Sequence, residues 1–197
     1  MYESESNVYQ EDDSIGLPEI NLLIADLVNE DWTVRLRARR SLVAIGREAI
    51  VPLIEALASR NRWLRWEGAM ALRDIGDPMA APALVIALED HEFDVRWLAA
   101  DGLVVMGREA LMPLLRALIE RPHDVWLMEG AHHVLGHTVG RDIRSEHHAA
   151  DHPAQEDLEL AEMLIPVVDA LEGLGPSLEV PLAARAALNR LTRIAEY

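Results

Sequence analysis

The stretch Leu-Ile-Ala-Asp-Leu at residues 23–27 returns four times in altered form along the chain. The later copies are LIEAL at 53–57, LVIAL at 84–88, LLRAL at 114–118 and VVDAL at 167–171. Their closing leucines lie 30, 31, 30 and 53 residues apart, so one period near 30 holds until a longer final interval. A fixed period of this length indicates stacked helical units, because no single unit can bury its apolar face alone.

Between these copies lies a second helical pattern, which we name helix A; the quoted stretches belong to helix B. The apolar residues of helix A recur at offsets of 4, 8 and 11, which places them on one buried face. The pattern is read in three units as Val34, Ala38, Leu42 and Ile45; Leu64, Gly68, Leu72 and Ile75; and Val95, Ala99, Leu103 and Met106. Residues 180–191 repeat it and predict a terminal helix A.

Residues that typically cap or terminate helices mark the ends of these helices. Asp31 and Asn61 precede two A helices and are predicted to cap them. A glycine follows each of the three A helices, where a left-handed residue is typical, and a proline six positions later lies in the first turn of helix B. These residues are Gly46, Gly76, Gly107, Pro52, Pro82 and Pro113. The sequence therefore predicts an all-α solenoid of about five helix pairs.

Composition limits the chemistry. The 197 residues include no Cys and no Lys, which excludes thiolate ligands, thiol nucleophiles and lysine Schiff bases. The formal charge of −16 argues against nucleic acid as a partner, because phosphate binding needs a net basic surface.

Residues 1–16 form an acidic tail that we expect to be mobile, and residues 17–197 form a single repeat domain. No signal peptide or membrane-spanning run is found, so we expect a cytoplasmic protein.

Several short strings resemble a known repeat family. Asp-Trp-Thr-Val-Arg-Leu-Arg-Ala at 31–38, Val-Arg-Trp-Leu-Ala-Ala at 95–100 and Ile-Gly-Asp-Pro at 75–78 are similar to the phycobilisome-lyase HEAT-like repeats. The resemblance extends over about 17–195. It implies a right-handed superhelix of helix pairs that serves as a protein-binding surface. For some relatives it also implies a lyase-like or chaperone-like role toward a tetrapyrrole-bearing protein.

Arg35, Arg65 and Arg96 each follow the first buried position of a helix A. Such an arginine ladder is expected to brace neighbouring units by hydrogen-bonding helix ends and carboxylates. The next position forms a row with two interpretations: an exposed apolar strip that binds a partner, or tryptophans that lie across the following helix A and cover the ladder. The predicted partner-binding residues are Leu36, Trp66, Trp97 and Met128.

The fourth unit departs from the pattern. If Glu129-Gly130-Ala131 matches Glu67-Gly68-Ala69, then Trp126 begins the buried row, and His133 and His137 replace small or apolar core residues. An insertion at about 139–161 follows, between helices A and B. Seven of the eight histidines lie between 123 and 152.

These histidines suggest a divalent metal such as Zn or Fe. The candidate ligands are Glu129, His133 and His137, with His147, His148 and His152 from the insertion. The alternative is structural: His133 hydrogen-bonds Glu129, His137 caps its helix, and the insertion histidines are solvated.

We expect a non-catalytic scaffold that binds another protein, with no catalytic residue assigned. A metal-binding protein or metalloenzyme built on the fourth repeat is the first alternative, and a lyase-like or chaperone-like subunit the second. A homodimer is allowed, because the terminal helix A at 180–191 has no helix B after it to cover its apolar side.

Overall fold

The computed structural model describes residues 16–140, 155–173 and 179–195, and all regular structure in these ranges is helical. This confirms the predicted all-α solenoid. The α-helices are α1 (Leu17–Asp26), α2 (Trp32–Ile45), α3 (Ile50–Leu57), α4 (Arg62–Ile75), α5 (Ala81–Ala87), α6 (Phe93–Met106), α7 (Leu111–Glu120), α8 (Val125–Thr138), α9 (Gln155–Glu172) and α10 (Glu179–Ala195). The predicted tail at 1–16 lies outside the described residues except for Gly16.

The helix ends follow the capping rules. The side-chain Oδ1 of Asp31 accepts a hydrogen bond from the Thr33 N–H at 2.8 Å, and Asn61 accepts one from Trp63 N–H at 2.9 Å. Both predicted caps are therefore confirmed. Gly46, at φ 73°, and its two counterparts end their A helices with positive φ, which favours glycine. A short 3₁₀ turn, which the sequence did not predict, then leads into each following B helix: Gly46–Ala49, Pro78–Ala80 and Gly107–Ala110.

The helices form two layers. The A helices α2, α4, α6 and α8 contact one another in order, and the B helices α1, α3, α5 and α7 form the second layer. One continuous hydrophobic core runs between the layers. Its fully buried leucines recur once per unit in the A layer: Leu42, Leu72, Leu103 and Leu135. Each unit thus buries its apolar face against its neighbours.

The register predicted for the fourth unit is wrong by one residue. Trp126 is 38% exposed, whereas Leu127 is fully buried. The buried row of α8 runs through Leu127, Ala131 and Leu135, at the same distances from its N-cap Asp124 as in the other A helices. His133 and His137 therefore do not occupy core positions.

The interruption at 139–161 is partly helical. Helix α8 ends at Thr138, and α9 begins at Gln155 and includes the last residues of the predicted insertion. Residues 141–154, which hold His147, His148 and His152, lie outside the described residues. Pro166 is internal to α9, whereas the matching prolines of α3, α5 and α7 lie near helix starts. The insertion has thus lengthened α9, the B helix of the fourth unit, at its N-terminus.

The last helix also departs from the prediction. Helix α10 packs against the B helix α7 and against α9, instead of continuing the A layer. Its apolar side is covered, because Val180, Ala184, Ala187 and Leu191 are all buried within the chain. The uncovered face that suggested a homodimer is therefore absent from the described part of α10.

The corrected register gives a stability prediction. Leu127→Ala should lower the free energy of unfolding by about 2–5 kcal/mol, because it empties a fully buried site. Trp126→Ala should cost less, since its indole is partly solvated in the folded state. Urea denaturation of both variants against the unsubstituted chain measures the difference. A larger loss for Trp126→Ala would restore the register predicted from sequence.

Candidate functional site

All five tryptophans and the single phenylalanine lie within the first five residues of A helices. They are Trp32, Trp63, Trp66, Phe93, Trp97 and Trp126. Because the A helices stack side by side, these residues form one border of the layer, which we name the aromatic edge. Apart from the half-buried Trp66, their side chains are between 38% and 64% exposed. Large aromatic groups exposed together on a protein surface are typical of contact sites.

The rings contact each other within and between units. Trp63 meets Trp66 edge to face with ring centroids 6.5 Å apart, and Phe93 stacks on Trp97 at 6.3 Å. Trp97 also lies 4.8 Å from the His133 ring on the next A helix. Five of the six edge residues therefore contact another ring, whereas Trp32 makes no ring contact with a described residue.

The arginine ladder stands directly beside these rings. The Nη1 of Arg35 donates to the Asn29 and Glu30 carbonyls at 2.7 and 3.0 Å. Nη1 of Arg65 donates in the same way to the backbone carbonyls of residues 59 and 60, and Nη1 of Arg96 donates to those of residues 90 and 91. Each arginine thus fixes the loop that enters its own helix. The predicted pairing with a carboxylate of the next unit is observed for Arg65, and at 3.8 Å for Arg35.

Two carboxylates complete the ladder. Asp90 accepts from Nε and Nη2 of Arg65 at 2.6 and 3.0 Å, which joins the second unit to the third. Glu67 is buried and accepts from Nη1 of Arg39 at 2.6 Å, with Nε of Arg35 3.8 Å away. Bidentate pairing of the Arg65 type fixes geometry as well as charge.

The two carboxylates differ in the direction of their pKa shifts. Burial raises the pKa of Glu67, and the bond and charge of Arg39 offset this only in part. Burial also acts to raise the pKa of Asp90. There the hydrogen bonds from Arg65 and from the Glu92 backbone outweigh it, so that the pKa is lowered.

A pocket of about 220 Å³ interrupts the aromatic edge between α6 and α8. It is lined by Phe93, Arg96, Trp97, Ala100, Trp126, Glu129, Gly130 and His133. The guanidinium of Arg96 lies 4.6 Å from the Trp126 ring centroid and 5.6 Å from that of Phe93. The pocket therefore combines aromatic walls with a cation held in position by the loop carbonyls.

A wider groove of about 750 Å³ lies beside the edge, between α3 and α5. Its apolar wall includes Ile54 and the exposed Ile86, and its polar rim includes Arg65 and Asp90. Glu92 borders this groove and also a small depression next to Trp63 and Trp66. The groove on the B helices and the aromatic edge thus adjoin each other.

The predicted partner-binding row is split by the structure. Trp66 is half-buried against a small cluster that contains Val95 of the next A helix, and Trp97 is exposed beside His133. Both tryptophans lie toward the following helix, as the structural interpretation proposed. Leu36 is half-buried, and Met128 packs against the main core. In the corrected register Met128 occupies the arginine position of α8, and Glu129 takes the place of the tryptophan.

The predicted metal ligands do not converge within the described residues. Glu129 and His137 are exposed, and the His133 ring lies against Trp97. No group of three His, Asp or Glu suited to a metal ion occurs in 16–140, 155–173 or 179–195. The metal site stays a prediction that requires stoichiometric Zn or Fe in protein purified without a tag, and loss of that metal in His133→Ala.

Sequence reasoning missed four members of the edge, which are Trp32, Trp63, Phe93 and Trp126. The signal that would have found them is the distance from the N-cap. In every A helix the inward row follows positions 3, 7 and 11 after the cap, of which the last two are buried in all four helices, so aromatic residues one, two or five positions after the cap lie outside that row.

Comparison with known proteins supports the repeat type. Residues 20–103 match the family model of HEAT repeats. A crystal structure of an engineered protein is similar over 89% of this chain and 80% of its own, with 19% identity and a TM-score of 0.37. No curated protein matches the chain significantly.

Within the described ranges, none of the helices has the length and apolar character needed to cross a bilayer.

The opposite pKa shifts predict opposite pH dependence for two variants. The lowered pKa of Asp90 contributes stability that is present above the unfolded-state pKa and is lost as pH falls through the folded-state pKa. The raised pKa of Glu67 contributes stability at low pH that is lost as pH rises. Asp90→Asn should therefore lower the free energy of unfolding more at about pH 7 than at about pH 3. Glu67→Gln should lower it less at about pH 7 than at about pH 3. Urea unfolding at both pH values tests this, and parallel trends would contradict it.

Proposed function

We propose that this HEAT-repeat protein is a non-catalytic scaffold that binds another protein along the aromatic edge. HEAT repeats generally mediate protein–protein interaction, and residues 20–103 match that family. The observation that carries the proposal is the placement of every Trp and Phe of the chain on one border of the A layer. A core-forming pattern would have distributed at least some of these large rings to the fully buried rows.

The composition of the edge fits an interface. Tryptophan and arginine are the residues that most often dominate binding energy, because they combine large apolar area with directed polar contacts. Here Arg62 lies 4.7 Å from the Trp63 ring centroid, and Arg39 5.9 Å from that of Trp66. Such contacts hold both side chains before a partner arrives, which reduces the conformational entropy lost on binding.

The two alternatives have less support. A metalloprotein would need ligands that converge, and the described residues contain no such group. The finer likeness to phycobilisome-lyase repeats, with a tetrapyrrole-bearing partner, stays a prediction. The same holds for a homodimer.

Paired substitutions on and off the edge test the proposal. Trp63→Ala with Phe93→Ala removes two exposed rings without emptying the core, so unfolding should change little. A partner isolated with the unsubstituted chain and then purified should bind this variant at least about tenfold more weakly. Isothermal titration of the two purified proteins measures the change.

Leu182→Ala provides the matched control. Leu182 is 68% exposed on α10, outside the aromatic edge, and its removal takes away a comparable exposed apolar group. The affinity of this variant should equal that of the unsubstituted chain. Equal weakening by both variants, or no weakening by the edge variant, would reject the edge as the binding surface.

A further inference from the structure

The arginine ladder is incomplete at Arg96. Its Nη1 donates to the loop carbonyls of Asp90 and His91, like the other two ladder arginines. Its Nε and Nη2 donate to no described residue, and it forms no ion pair within the described ranges. The same two nitrogens of Arg65 hold the carboxylate of Asp90.

The missing carboxylate can be traced to two positions. Asp90, which pairs with Arg65, lies two residues before the N-cap of the next A helix; the residue at the same position before the α8 N-cap is Pro122. Glu67, which accepts from Arg39 and lies 3.8 Å from Nε of Arg35, is six residues after the next N-cap; the residue at the same position in α8 is Gly130. Both positions that supply an acid to the earlier rungs therefore lack one in the fourth unit.

The aromatic pocket lies beside Arg96. Gly130 lines it, with no room for a side chain because an added Cβ would lie 2.7 Å from Leu88, and Trp97 and Trp126 form walls around the guanidinium of Arg96. A carboxylate on the guanidinium of Arg96 would form charge-assisted hydrogen bonds, which are roughly twice as strong as hydrogen bonds between neutral groups. A planar fork with two donors matches a carboxylate in particular.

We propose that this pocket binds a carboxylate of the partner, carried next to an aromatic or apolar group, with Arg96 as the anchor. The carboxylate takes the place that Asp90 takes on Arg65, and the neighbouring group packs on Trp97 and Phe93. This inference rests on the proposed function, since it names the chemistry that the edge recognises. Salt screens the distant charges behind the net charge of −16, since screening is strong beyond about 8 Å. Glu129, which lines the same pocket, disfavours a carboxylate there and is the charge that Arg96 has to outweigh.

A small probe tests the pocket without knowledge of the partner. N-acetylphenylalanine carries a carboxylate beside a phenyl ring, and its primary amide is the neutral control. Phenethylammonium is the cationic control, because Glu129 also lines the pocket and has no ion pair to a described residue. Titration is followed by the indole N–H resonances of Trp97 and Trp126, assigned by single Trp→Phe substitutions.

The expected result is a saturable shift of these two resonances with the carboxylate and on the order of tenfold weaker binding of the amide. Arg96→Gln should abolish the preference. Arg35→Gln, which removes the same pair of loop hydrogen bonds from the first unit, should keep it. Equal binding of acid and amide, binding of the ammonium alone, or no shift at all would overturn the proposal.

A second variant keeps Arg96 and introduces a competing carboxylate into the protein itself. Pro122→Asp supplies an acid at the position of Asp90, so the protein's own carboxylate should occupy Arg96 and abolish probe binding. Pro122→Asn should bind the probe like the unsubstituted chain. Unchanged binding by Pro122→Asp would overturn the proposal even if Arg96→Gln proved too unstable to study.

The two proposals fail in different ways. If the probe does not bind but Trp63→Ala with Phe93→Ala still weakens partner binding, the carboxylate inference is wrong and the scaffold proposal stands. If the probe binds through Arg96 but the partner is insensitive to the edge variants, the scaffold proposal is wrong and the pocket's ligand chemistry stands.

Discussion

Each A helix buries a row of side chains that only the adjacent helices can cover, and the rest of the structure depends on this contact. The row occupies positions 3, 7 and 11 after each N-cap, and its first residue is half-buried at Val34 and Leu64 and buried at Val95 and Leu127. Because every unit must meet its neighbours through the same row, residues at equal distances from the caps are brought onto the same border. The aromatic edge and the arginine ladder are thus aligned by the packing of the core and need no additional element to position them.

The hydrogen bonds of the arginine ladder fix the relative position of neighbouring units, whose contact is otherwise only apolar. Hydrophobic burial tolerates small slides between helices, whereas the two bonds from Arg65 to Asp90 fix one relative position. The carboxylates differ because their surroundings differ. Glu67 lies deep among the A helices, where burial dominates its pKa, and Asp90 lies in a loop where several donors reach it.

The sequence predicts the periodic features well because they depend on neighbouring residues. The side chain of Asp31 caps a backbone N–H two residues later, and Gly46 acts through its own positive φ, so spacing alone identifies them. The register of α8 failed because the string Glu-Gly-Ala was matched by identity, whereas burial follows the distance from Asp124. The position of α10 could not be predicted, because an amphipathic pattern shows which face is buried and not which helix covers it. Contacts between neighbouring units, such as Trp97 with His133, are likewise decided by stacking.

Repetition makes the incomplete rung at Arg96 informative. In a protein without repeats, an arginine whose Nε and Nη2 donate to no described residue would be an ordinary surface residue. Here the chain itself shows the stabilised arrangement one unit earlier, with Asp90 on Arg65. Pro122 at the position of Asp90 gives up that stabilising pair, and the packing of Gly130 on Leu88 leaves no room for an acid at the other position, while Arg96 stays fixed against Trp126. Local rules of stability are most often broken where a protein has a function to perform, so the gap in the ladder supports a site completed by a partner.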